Sequence, residues 1–203
     1  MARYTGPRLR ISRRFGEPVF GPSKYLERKN YRPGIHGPRS MRRKTTDYGL
    51  ALMEKQKMRH YYGLMEKQFR GVYEKAIRRR GITGEIMLQI LETRLDSVVY
   101  SLGLAYTRAA ARQMVVHGHV LVNGRRVRTP SYACRVDDVV EIKDSNKSRL
   151  LATRNLEIST SRAVPDWLAL NKDAMKGTVS RLPSRDDLQP IANEQTIVEF
   201  YSR

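Results

Sequence analysis

The chain has 203 residues, enough for one large domain or two small ones around a sizeable core. Its 39 lysines and arginines stand against 20 aspartates and glutamates, a formal net charge of +19 that requires a polyanionic partner. A single cysteine, Cys134, excludes an internal disulfide and fits a reducing compartment, and no run approaches the ~18 apolar residues of a membrane span. Met1 to Arg14 is basic but lacks the apolar segment of a signal peptide, so a soluble intracellular protein is expected.

The charge is unevenly spread. Residues 1–50 hold 13 basic and 3 acidic side chains, whereas residues 151–203 hold 7 of each. The excess lies in the first three quarters, and the balanced last quarter suits a protein contact. Nucleic acid fits this pattern better than a membrane surface, because no basic stretch is paired with an exposed apolar helix face.

In chain order, residues 1–45 read as an irregular basic arm. Gly6-Pro7, Gly16, Pro18, Gly21-Pro22, Pro33-Gly34 and Gly37-Pro38 leave no room for a long helix. Arginines and tyrosines alternate there, including Arg3-Tyr4, Tyr25, Arg28 and Tyr31-Arg32, and such pairs can stack on bases while meeting phosphates. The arm is expected to become ordered on RNA.

From Thr45 the pattern turns helical. "TTDYGLALMEKQKMRHYYG" opens on capping-type residues and stops at Gly63. "LMEKQFRGVYEKAIRRRG" stops at Gly81 and carries Arg78, Arg79 and Arg80 in its last turn, where cations suit the helix dipole. "TGEIMLQILETRLDSVVYSLGL" reads as one helix with an apolar stripe of Met87, Leu91, Leu95, Val98, Val99 and Leu102.

A compact unit follows. Thr107 can cap the helix "RAAARQMVVH", which ends at Gly118 and puts Arg108 and Arg112 on one face. "HVLV" and "RRVR" flank Asn123-Gly124, the pair a type I′ hairpin turn needs. "PSYACRVDDVVEIK" reads as a further strand with Asp137-Asp138 as a turn, residues 151 onward as a polar region, and "TIVEFYSR" as a closing strand. Cys134 and Trp167 are expected in the core. Arg125, Arg126 and Arg128 have no carboxylate beside them on the hairpin. They and the helix arginines are expected to converge on one RNA groove, where the guanidinium fork binds phosphate at two points.

The stretch "RLDSVVYSLGLAYTRAAARQMVVHGHVLVNGRRVRTPSY", residues 94–132, resembles a small RNA-binding module shared by several families. Its flanks, "MARYTGPRLRISRRFGEPVFG", "PGIHG", "DYGLALMEKQKMRHYYGLMEKQFR" and "NEQTIVEFYSR", resemble the bacterial-type family of small-subunit ribosomal protein four. The resemblance spans essentially the whole chain. It implies an α+β fold: a mainly helical first domain with an inserted small α/β RNA-binding module, a helix pair plus hairpin and short sheet, behind the irregular arm. The implied domains are an arm at 1–45, a helical domain at 46–91 rejoined by about 172–203, and an inserted domain at 92–171 with its core at about 94–155.

The family resemblance also implies a structural role in the small subunit. It implies binding to the 5′ domain of small-subunit rRNA early in assembly, small-subunit proteins three and five as neighbours, a place at the messenger entry channel, and influence on decoding accuracy. Matched to the module's motif, Arg94, Arg108, Arg112, Gln113, His117, His119, Asn123 and Arg125 are candidate rRNA contacts, with Asn123 and Gly124 setting the turn. Arg126, the arm's Arg3, Arg8, Arg10, Arg13 and Arg14, and Arg78 to Arg80 complete that set. Arg39, Arg42, Arg43 and Lys44 correspond to the basic loop at the messenger entrance.

Many members of that family hold a structural zinc with four cysteines near the N-terminus. Residues 1–45 contain none, and Leu9 and Ser12 stand where the first pair would be, so neither a metal nor another cofactor is expected. Pseudouridine synthases join the same module to a catalytic domain and use an aspartate in an Arg-Leu-Asp motif. Here Asp96 lies on a helical stripe with no catalytic domain after it, and is expected to pair with a nearby arginine. Catalysis is therefore not expected. The rival readings are a non-ribosomal RNA-binding regulator and, far behind it, an RNA-modifying enzyme.

Overall fold

The computed structural model describes residues 4–21, 23–40, 44–160, 162–188 and 191–202. In chain order the elements are α1 (Arg8–Phe15), α2 (Lys24–Arg28), α3 (Gly37–Ser40), α4 (Asp47–Tyr61), α5 (Glu66–Ile77), α6 (Thr83–Glu92), α7 (Leu95–Ser101) and α8 (Arg108–His117). Then come β1 (Val120–Val122), β2 (Arg125–Arg126), β3 (Val139–Ile142), α9 (Asn146–Ile158), β4 (Leu168–Asn171), β5 (Lys176–Val179) and α10 (Glu194–Ser202). Helices and one antiparallel sheet make the fold α+β. The chain divides into two units, residues 1–84 with 190–203, and residues 85–189.

In the first unit Thr46 caps α4, its hydroxyl accepting the Gly49 N–H at 3.2 Å. α10 lies against α4, with Asn193 N–H donating to Glu54 Oε2 at 2.9 Å. The Tyr201 ring stacks on Tyr73 at 4.7 Å between centroids, and its hydroxyl donates to Glu66 Oε1 at 2.9 Å. Lys55 Nζ reaches the same oxygen at 2.6 Å. Burial works against the Glu66 charge, but the hydrogen bonds from Lys55 and Tyr201 and the charges of Lys55 and Arg59 outweigh it, holding the carboxyl below its usual range. The final segment is thus a helix, where a strand is expected from its β-branched and aromatic content. Asn193 is the reason: its Oδ1 accepts from Gln195 N and Thr196 N at 2.9 and 3.3 Å, a helix cap.

The arm is more ordered than its glycines and prolines imply. α1 and α2 fit between them, α3 begins on Gly37-Pro38 itself, and α4 supplies what holds the arm in place. His60 of α4 is buried with the rings of Tyr4, Phe15 and Phe20 around it at 4.9, 6.4 and 6.0 Å. Lys57 of α4 binds Glu17 at 2.7 Å. Arg13 donates to the carbonyls of Lys29 and Tyr31 at 3.2 and 3.1 Å and lies 4.8 Å from the Tyr31 ring centroid, tying α1 to the segment after α2.

The second unit is a five-stranded antiparallel sheet in the order β2-β1-β3-β5-β4, with α7, α8 and α9 contributing to its core. Leu95, Val98, Val99, Leu102, Val115, Val140, Trp167 and Val179 are among the buried residues of one cluster. Gly177 of β5 admits Leu102 so closely that a Cβ there would lie 2.4 Å from Leu102 Cδ1. Cys134 is buried, and that burial, followed by the charges of Asp138 and Asp96, pushes its thiol up to about 12, so it behaves as a small hydrophobe.

Three expectations for this unit are corrected. Residues 83–104 do not form one helix, because the chain is extended at Arg94, where residues 130–134 pair with 93–96. Cys134 N–H donates to Thr93 O at 2.8 Å, Leu95 N–H to Tyr132 O at 2.8 Å, and Arg94 bridges Ala133. Of the strand expected over 130–143, only the part after its expected turn forms β3, the turn lying at Asp137 with φ 66°, and residues 146–158 form α9 where no helix is expected. The domain boundary expected at 171/172 falls inside the β4–β5 hairpin, in its turn. β5 bonds both β3 and β4, so residues 172–188 belong with the second unit.

Burial, then the charges of Arg59 and Arg14, lower the His60 pKa from 6.5 to about 4. A base with a depressed folded pKa stabilises the fold fully above pH 6.5, and that contribution fades as pH falls toward 4. The helical circular dichroism of the wild type should therefore lose its denaturant midpoint steadily between pH 6.5 and 4, and His60→Phe should flatten that slope. Parallel wild-type and variant curves over this range would contradict the buried neutral imidazole.

Candidate nucleic-acid interface

The hairpin is set by its turn. Asn123 and Gly124 take φ of 51° and 76°, and Val122 pairs with Arg125 across the turn. The Asn123 side chain is spent on that geometry: its Nδ2 donates to Asp138 Oδ1 and its Oδ1 accepts from Val139 N, both at 2.8 Å. β2 is an edge strand of the sheet, with one hydrogen-bonding edge unpaired, and both of its residues are exposed. Arg125, Arg126 and Arg128 are all exposed, and no ion pair among the described residues neutralises them.

The C-terminal end of α8 extends this cationic face. Arg126 Nη2 donates to His117 O at 3.0 Å, and its guanidinium lies over Gly118, where a Cβ would meet Arg126 Nε at 2.1 Å. Gly118 therefore serves twice, as the left-handed cap of α8 at φ 73° and as the floor under Arg126. The His117 and His119 rings lie 6.2 Å apart. His119 Nδ1 is 2.9 Å from Ser148 Oγ. Burial, then His117, Arg126 and Lys143, lower the His119 pKa, so a neutral ring is favoured there. Gln113 and His117 are exposed beside it. Lys143, whose N–H donates to His119 O at 2.8 Å, joins the cluster although the sequence reading passed over it.

Arg94, Arg108 and Arg112 are not on this face. Arg94 binds Asp96 with both prongs, Nε to Oδ1 at 3.0 Å and Nη2 to Oδ2 at 2.9 Å. Arg112 Nη1 reaches Asp96 Oδ2 at 3.2 Å. Arg108 binds Glu92 Oε1 at 2.9 Å and Ser97 Oγ at 2.8 Å, with Tyr100 packed 4.6 Å beneath its guanidinium. The Asp96 side chain is 7 % exposed and the three arginines 10 to 12 %. These cations hold α6, α7 and α8 together, where the sequence leads to an expectation of phosphate contacts. Two carboxylates in the helical stripe, Glu92 and Asp96, are the sequence signal that separates them from the hairpin arginines. The expectation that Asp96 pairs with an arginine agrees with this geometry.

In the first unit Arg8, Arg10 and Arg14 are exposed on or beside α1, as are Arg78, Arg79 and Arg80 just past the end of α5. Arg13 is partly buried and holds the arm, a structural use the sequence does not announce. Arg39 and Lys44 are exposed, while Arg3, Arg42 and Arg43 lie outside the described residues.

Removing the Asp96 charge leaves Arg94 and Arg112 buried without it. Breaking such a pair typically costs ~3–5 kcal/mol. Asp96→Asn should therefore lower the urea stability of the second unit by about that much. Trp167, the chain's one tryptophan, is buried in this core and reports its unfolding by fluorescence. A change below ~1 kcal/mol would mean that the network contributes little.

Residues 3–92 match the family model for the ribosomal protein S4/S9 N-terminal domain, and residues 93–140 match that of the S4 domain. The chain is 57 % identical to small ribosomal subunit protein uS4 of Opitutus terrae, 53 % to that of Akkermansia muciniphila and 48 % to that of Geobacillus kaustophilus. In each case the similarity covers the whole of both chains. With both models matched in order and identity sustained from end to end, the chain belongs to the uS4 family of small-ribosomal-subunit proteins.

Proposed function

We propose that this protein is a structural constituent of the small ribosomal subunit that binds the 5′ domain of its rRNA and nucleates assembly there. The single observation that carries the reading is the set of unneutralised, exposed arginines on the hairpin, Arg125 and Arg126 on an edge strand and Arg128 just past it, in a module of the S4 class. Guanidiniums on a rigid hairpin meet phosphates at fixed spacing, so the protein reads the shape of a folded RNA more than its base sequence. His117, Gln113 and Lys143 widen that face, and the exposed arginines of α1 and those following α5 give the first unit its own phosphate contacts. Arg39 and Lys44 belong to the basic loop at the messenger entry channel. Contacts with small-subunit proteins three and five, the second of them affecting decoding accuracy, complete the assignment. The protein works on the ribosome in the cytoplasm, and its role is architectural rather than catalytic.

Filter binding at several salt concentrations tests this, comparing the small-subunit rRNA 5′ domain with a folded RNA of matched size. Tighter binding to the ribosomal fragment at every salt is expected, with affinity falling ~10³–10⁵-fold between 50 and 200 mM for 6–10 phosphates met. Replacing Arg125, Arg126 and Arg128 together by Ala should reduce the slope of log affinity against log salt by about 3, one for each phosphate lost. Equal binding to both RNAs with a common slope would reduce the protein to a non-specific polycation.

A further inference from the structure

Between α1 and α2 runs an open groove of about 620 Å³ that no described residue fills. That volume lies within the ~300–1,000 Å³ of clefts that hold small ligands. Its walls are flat and apolar: Pro7 and Leu9 on one side, Tyr25 and Pro33 on the other. Tyr25 is 63 % exposed and Leu9 44 %, so a sizeable apolar surface faces water within an otherwise strongly cationic arm. The floor is firm, because Arg13 is held by the Lys29 and Tyr31 carbonyls and by the Tyr31 ring.

The rim carries Arg10, Arg28 and Lys29, all exposed and none in an ion pair among the described residues. Carboxylates that could serve them are scarce. Glu27 is the only one in residues 18–46, and Glu17 is taken by Lys57. An apolar slot with an aromatic wall and a cationic rim is complementary to one chemistry: a planar ring with two apolar faces, joined to an anion. An unpaired nucleotide has that form, since its base can stack on a tyrosine while its phosphate meets arginine. A paired nucleotide is excluded, because its base faces are covered by the helix stack.

Resting on the RNA-binding reading above, we propose that the groove between α1 and α2 takes one nucleotide splayed out of the bound rRNA. Its base lies against Tyr25, and its flanking phosphates lie against Arg10, Arg28 and Lys29. The hairpin of the second unit then reads backbone shape, whereas this groove recognises a nucleotide that the RNA fold leaves unpaired.

The test uses the full-length protein bound to the rRNA 5′ domain, irradiated at 254 nm, digested and mapped by mass spectrometry. A mononucleotide adduct on Tyr25, at one RNA position, is the expected result. In filter binding, Tyr25→Ala should lose about 5- to 150-fold in affinity, the range for removing one base–aromatic stack, and Tyr25→Phe should retain it. Because Tyr25 is largely exposed, the Ala variant should keep its circular dichroism. Adducts on the hairpin peptides with none at Tyr25, or unchanged affinity for Tyr25→Ala, would overturn the proposal while leaving RNA binding intact. Protection of the groove from hydrogen exchange only after other small-subunit proteins are added would assign it to a protein and overturn it too. Failure to retain the RNA at all would overturn the RNA-binding reading, and this proposal with it.

Discussion

The Asp96 carboxylate is the point on which the second unit depends. A buried anion is tolerated only where cations and hydrogen bonds replace its water, and Arg94, Arg112 and the Ser97 N–H do so here. Holding Arg94 fixes the extended residue between α6 and α7, and holding Arg112 fixes α8 against α7. Glu92 and Arg108 repeat the device one turn away. Once α8 is fixed, Gly118 launches β1, and the Asn123-Gly124 turn sends Arg125 and Arg126 back along the edge of the sheet. The free cations at the surface are aimed by paired cations beneath them.

That division gives the +19 charge a physical meaning. Four carboxylates of this unit lie where they complete the fold: Glu92 and Asp96 in the helices, Asp138 at the turn, Glu141 beside Lys176. None is spent on the hairpin arginines among the described residues. A surface left uncompensated in this way repels its own kind and gains its balance from a polyanion. The first unit follows the same rule, with Lys55 and Lys57 paired inside and Arg8, Arg10 and Arg14 outside.

Much of this was legible in the sequence, and what was not has identifiable causes. Asn123-Gly124 fixed the hairpin because only residues tolerant of positive φ close that turn. Thr107 and Gly118 marked both ends of α8 by capping chemistry. The stripe from Met87 to Leu102 correctly marked buried positions, yet it concealed the break at Arg94. No glycine or proline stands there, and the interruption comes from pairing with residues about 40 positions later. The closing helix was hidden by Ile197, Val198, Phe200 and Tyr201, whose strand-like character is overridden by the Asn193 cap and by packing on α4. Local spacing could not sort the arginines into buried and exposed sets either, because Arg112 meets its carboxylate across 16 residues. The groove beside Tyr25 was equally invisible, since Arg13 builds it through carbonyls with no side-chain signature.

Arginine-selective chemical footprinting, with and without the rRNA 5′ domain, tests the central claim of two arginine populations most directly. Arg125, Arg126 and Arg128 should react readily in the free protein and be protected by RNA, while Arg94, Arg108 and Arg112 should stay unreactive in both states. If Arg108 or Arg112 reacts freely and becomes protected by RNA, or if the hairpin arginines react alike in both states, the division is wrong.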